Sequence, residues 1–178
     1  MRLLLVDDVS MGTAAFAWRA ASYVFASSFD VVVRCNRTAD VYNTLSRYSG
    51  RLRHVQLWGH GAPGKPLIDG QPLDERNVAW AACKGATVWF RMCHVACGDE
   101  GKRFMRGLGQ WGASPVAHLA LIGPLLSQSY LVGLDAYCAP WWPSKLRSET
   151  SAPWLPRTVP AVQMTLPLWA FEPGRGIP

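Results

Sequence analysis

The chain has 178 residues, 49% of them hydrophobic and 17% charged, enough for one well-buried core and too few for two. Its formal charge is +6, and fourteen of its eighteen basic residues are arginine. They are scattered, and no aromatic and basic residues alternate in a binding motif, so they read as solvated helix ends and faces and nucleic acid is not an expected partner.

The opening RLLLVDD is a continuous apolar run stopped by Asp7 and Asp8, the pattern of a strand buried on both faces where it leaves a sheet. From Met11 to Phe29, Phe16, Ala20, Tyr23 and Val24 recur at helical spacing behind Ser10 or Thr13 as a cap. Asp30 and VVVRC give a β-branched second strand, and Thr38 to Tyr48 returns to helical spacing, closed by Gly50. A third strand spans Arg53 to Trp58. Asp69-Gly70 marks a hairpin between Pro66 and Leu73. Leu73 to Cys83 reads as a third helix, Thr87 to Met92 as a fourth strand and Asp99 to Trp111 as a fourth helix. Strands at Ser114 to Ile122 and Tyr130 to Leu134 complete the set. Alternation of strand and helix points to a mostly parallel α/β sheet.

From Cys138 onward the composition changes. Eight of the thirteen prolines and four of the nine tryptophans lie there; such proline content rules out a regular helix or central strand as an expectation, and the tryptophans need cover. The expected organisation is an α/β domain over residues 1–138 with an extended Pro/Trp-rich arm, 139–178, packed on the same domain. A tail that binds a protein partner is the other reading of the arm.

No secretory signal is expected, because Asp7 and Asp8 interrupt the apolar start. The longest apolar stretches are broken by Arg19 in one and by His118, Pro124 and Gln128 in the other, so a membrane span is not expected. The chain reads as soluble and cytoplasmic. Its five cysteines, Cys35, Cys83, Cys93, Cys97 and Cys138, fit free thiols better than a disulfide framework.

Two blocks carry chemistry. RHVQLWGHGAPG is an apolar run ending in His60 and glycine; ATVWFRMCHVACGDEG is another ending in Cys93. In an open α/β sheet the carboxyl ends of strands line the ligand crevice. If the two strands are neighbours, a thiol and an imidazole converge there: the thiolate attacks, and the imidazole takes and returns the proton. Gly61 would let backbone approach a substrate, its N–H serving with that of Cys93 as an oxyanion donor. Zinc held by Cys93, His94, Cys97 and His60 is a third reading, weakened by the lack of a second Cys-x-x-Cys or His pair. A phosphate-accepting receiver domain is excluded because the third strand ends in Trp58-Gly59-His60. The lack of G-x-S-x-G disfavours an α/β-hydrolase.

The pair HVQLWGHGAPG and VWFRMCHVACGDEGKRFMRGL resembles the caspase-hemoglobinase superfamily of cysteine peptidases, nearest a bacterial caspase- or CHAT-like branch with HGxPG and CxVAxG blocks. The resemblance implies a three-layer sandwich with a six-stranded, mostly parallel sheet and helices on both faces. It implies His60 and Cys93 as catalytic dyad, Gly61 and Cys93 as oxyanion donors, and no cofactor. The position before the nucleophile, acidic or glutamine in the family, is Met92 here, which the resemblance makes a candidate substrate-binding residue. Near the first-strand tip, Asp7 and Asp8 would select a basic residue before the scissile bond, or else cap the following helix; Asp135 is a similar candidate. The implied function is peptide-bond hydrolysis. A catalytically silent interaction module of the same fold, or a small-molecule hydrolase or acyltransferase with the same dyad, are the rivals.

Overall fold

A computed structural model describes residues 1–8, 15–119, 129–135 and 159–165. The elements run β1 (Arg2–Asp7), α1 (Ala15–Ala26), β2 (Val31–Cys35), α2 (Thr38–Arg47), β3 (His54–Trp58), β4 (His60–Ala62), β5 (Lys65–Ile68), β6 (Gln71–Pro72), a 3-10 helix (Val78–Cys83), β7 (Thr87–Arg91), α3 (Gly98–Gln110), β8 (Ser114–His118), β9 (Ser129–Asp135) and β10 (Val159–Thr165). One seven-stranded sheet has the order β2-β1-β3-β7-β8-β10-β9, and β4-β5-β6 form a small separate sheet. The pairs from β2 through β8 are parallel; β10 is antiparallel to β8 and parallel to β9. The protein is thus α/β with a mostly parallel sheet.

Strand alternation divides the side chains between two faces. Leu3, Leu5, Val55, Leu57, Val88 and Phe90 share a core with Val41 and Leu45 of α2, Trp80 and Cys83 of the 3-10 helix, and Phe104, Met105 and Leu108 of α3. Phe90 is its pivot, meeting Phe104 edge-on at 5.2 Å between ring centres and Trp80 at 6.0 Å. The opposite face carries Leu4, Val6, Trp58, Val116 and His118, all buried, and Phe25 of α1 meets Trp58 edge-on at 5.9 Å. Right-handed crossovers explain this division. The step from β1 to β2 moves one way along the sheet and the step from β2 to β3 moves back, which sends α1 and α2 to opposite faces. The reversal of direction lies between β1 and β3, where an open α/β sheet forms its ligand crevice.

Several sequence expectations are corrected. The sheet has seven strands rather than six, and the additional one, β10, comes from the proline-rich stretch and lies inside the sheet. β10 pairs with β8 at Ala161, Val162 and Gln163, so Pro160 lies beyond that ladder, opposite Tyr130 of β9. The third helix shrinks to the 3-10 turn. Its start is consumed by local bonds: the Asp74 carboxylate accepts from Arg76 N–H at 2.9 Å, the Asn77 side chain caps Ala79 N–H at 2.9 Å, and Trp80 Nε1 donates back to Asp74 O at 2.9 Å. In α1, Tyr23 and Val24 face outward at 69% and 71% exposure, so they are not its buried side. Tyr23 instead accepts from an Arg34 nitrogen at 2.7 Å beneath that guanidinium.

The Asp69-Gly70 hairpin stands as expected, with both residues at positive φ, 51° and 68°. The expected caps Ser10 and Thr13, the Phe16 side chain, and the arm at 139–158 and 166–178 lie outside the described residues. No described helix is long and apolar enough to cross a membrane.

Candidate active site

Trp58 at the end of β3 lies directly across from Arg91 at the end of β7. Two residues beyond each of these lie His60 and Cys93, so the two blocks leave the sheet side by side at its carboxyl edge. His60 is exposed and opens β4; Cys93 is half-buried and opens the turn into α3.

The loops that follow are fitted together through their glycines. A Cβ on Gly61 would stand 2.5 Å from Cys93 O and 3.0 Å from Met92 Cβ, so only glycine lets the His60 loop lie on the Cys93 backbone. Gly64, at a φ of +66°, donates its N–H to Val95 O at 3.0 Å, and a Cβ there would stand 2.6 Å from Glu100 O. HGAPG therefore rests along the turn that follows the cysteine.

That turn is pinned from the other side by β8. Ala96 N–H donates to His118 O at 3.0 Å, and His94 Nδ1 lies 3.0 Å from Leu119 O. A carbonyl only accepts, so Nδ1 carries the hydrogen, and His94 is held in the left-handed conformation at a φ of 57°. Cys97 N–H closes the turn on His94 O at 2.8 Å, and Cys97 stands at the N-terminal boundary of α3 without a side-chain cap bond. Asp99 and Glu100 occupy the first turn of α3, where the helix dipole favours carboxylates.

The four described cysteines are free of disulfides. Burial pushes the Cys35 and Cys83 thiols up to about 12, which suits packing residues; Cys93 and Cys97 are only half-buried. Cys138 lies outside the described residues.

The residues expected to bind substrate are placed less favourably. Asp7 is 1% exposed and lies under the hairpin, where its Oδ2 accepts from Asp69 N–H at 3.3 Å. Asp8 pairs with Arg34 at 3.0 Å. Met92 is fully buried, with Gly59 against its terminal methyl. Asp135 ends β9, paired with Thr165; β9 is three positions from β7 in the sheet, roughly 14 Å away. Among the described residues no group of three histidines, cysteines or carboxylates could hold a metal ion.

Sequence reasoning passed over Trp89, Arg91 and His118. Trp89 and Arg91 of β7 and His118 at the end of β8 lie on the sheet face opposite the main core. The parity of TVWFR, which sends positions 89 and 91 to the side of β7 away from Val88 and Phe90, was the available signal. Comparison with protein-family models, with curated proteins and with solved structures finds no significant match to this chain.

Proposed function

We propose that the chain is a caspase-like cysteine peptidase with Cys93 as nucleophile and His60 as its acid and base. The observation that carries this reading is the seating of the His60 loop on the Cys93 turn, through Gly61 against Cys93 O and Gly64 N–H on Val95 O. Two chemically capable side chains at adjacent strand ends are otherwise unrelated; here their loops interlock. The parallel order β2-β1-β3-β7-β8 and the placement of α1 opposite the other helices also support a caspase-like three-layer arrangement.

In this reading the Cys93 sulfur attacks the peptide carbonyl as thiolate, its proton passing to His60. The carbonyl oxygen gains the negative charge and is met by backbone N–H groups of Gly61 and Cys93. Collapse breaks the C–N bond, and His60 returns the proton to the leaving amine. Water then gives a proton to His60, its oxygen attacks the thioester, and the acyl group leaves as a carboxylic acid while Cys93 recovers its hydrogen. A preference for basic residues is not part of the proposal, since Asp7 lies under the hairpin and Asp8 pairs with Arg34.

The test is cleavage of a peptide library by the full chain, read by mass spectrometry. Cleavage that disappears in both Cys93→Ala and His60→Ala supports the reading. Cleavage that survives Cys93→Ala, or a lack of any cleavage by the wild-type chain, removes it.

A further inference from the structure

Among the described residues, the buried side-chain nitrogens with no hydrogen-bond partner are Trp89 Nε1, Arg91 Nε, and His118 Nδ1 and Nε2. All belong to one cluster. Arg91 occupies the middle of a row across three strands, with Trp58 directly opposite on β3 and His118 at the adjoining end of β8. Its guanidinium lies 5.0 Å from the Trp58 ring centre and 5.8 Å from that of Trp89. Trp89 in turn stacks on His118 at 6.2 Å and 29°.

Desolvated polar groups are nearly always paired in folded proteins, and a cation withdrawn from water without a counter-charge is costly. No described carboxylate forms an ion pair with Arg91. His118 is 0% exposed, and burial with the nearby Arg91 charge pushes it down to about 3, so it is neutral at pH 7. The arrangement also says what is missing. Aromatic rings already lie over Arg91, so what remains unserved in the buried part of the cluster is its Nε, an in-plane N–H donor on the edge that a carboxylate can meet. Neutral His118 adds one N–H donor beside it.

We infer that Arg91 and His118, walled by Trp58 and Trp89, form a binding pocket for a carboxylate on the sheet face opposite the main core. Arg91 and Trp89 are each partly exposed, so the cluster reaches the surface. The carboxylate would belong to an acidic peptide side chain or to a small free acid. The inference stands apart from the peptidase reading, since binding is measured without turnover.

The experiment is calorimetric titration of the full-length Cys93→Ala chain with glutarate and with short peptides containing aspartate or glutamate, using the asparagine and glutamine peptides as controls. Saturable binding of carboxylates at about millimolar concentration, absent for the amides and weakened roughly tenfold or more by Arg91→Gln, supports the pocket. Arg91→Lys keeps the charge without the planar fork and should fall between the two. Tighter binding of acidic peptides than of glutarate identifies a side-chain ligand; equal binding identifies a free acid. In the unsubstituted chain, carboxylate titration should shift the imidazole NMR signals that His118→Gln removes. Amides that bind as well as acids, binding unchanged in Arg91→Gln, or no saturable binding with His118 signals unmoved would each overturn the inference.

Discussion

Gly64 N–H donates to Val95 O across 3.0 Å, joining the glycine loop after His60 to the turn after Cys93. This bond, with Gly61 lying on the Cys93 carbonyl, makes the two strand ends one unit.

Neither glycine should accept a methyl group. In Gly61→Ala the new Cβ meets backbone at 2.5 Å and in Gly64→Ala at 2.6 Å, with an unfavourable φ as well in the second. Backbone yields less readily than a side-chain tip, so each variant should lose about 1–3 kcal/mol, with Gly70→Ala as a reference that has positive φ but open space. Urea unfolding measures the stabilities. Peptide cleavage should fall further in Gly61→Ala than its stability loss explains.

Thiol reactivity should divide the described cysteines into two classes. Iodoacetamide at pH 8 should modify Cys93 and Cys97 in the native chain and spare Cys35 and Cys83, whose thiols burial holds at about 12. Peptide mapping before and after unfolding in guanidinium reads the difference. Native modification of Cys35 or Cys83 would contradict the packing described.

Asp8 should matter little to stability. Its pair with Arg34 is partly solvated, with side-chain exposures of 24% and 39%, and such pairs contribute roughly 0–1 kcal/mol. Asp8→Asn should therefore leave the urea midpoint almost unmoved and should not alter which peptides are cleaved. A changed preference at basic residues would return Asp8 to the substrate site.

His118 should make the fold acid-sensitive. Its folded value, about 3, lies below its ordinary value of 6.5, so between those pH values the unfolded chain holds a proton that the folded chain lacks. Stability is therefore fully present above pH 6.5 and declines as pH falls toward 3, by roughly 1 kcal/mol per pH unit from this group. Comparing wild type with His118→Leu by urea unfolding at several pH values isolates the effect; the variant should show the shallower decline.

The parallel half of the sheet was legible because its strands are short apolar runs that stop abruptly, as in RLLLVD, HVQLW and TVWFR. That abruptness also exposed His60 and Cys93. The buried side of α1 was not legible, since AFAWRAASYVFA carries apolar residues all round and periodicity does not choose among faces. β10 was hidden because a count of prolines does not register that Pro160 falls outside the β8 ladder. The cluster of Trp89, Arg91 and His118 comes from two strands, and the lack of a partner is a property of packing that no single stretch displays.

The most direct measurement is covalent capture of the nucleophile. A peptide chloromethyl ketone pool is incubated with the wild-type chain and with His60→Ala at pH 7, and the modified residue is located by mass spectrometry. Selective modification of Cys93 that is lost or greatly slowed in His60→Ala is the predicted result. Equal modification of Cys93 and Cys97, unchanged when His60 is replaced, would contradict the dyad.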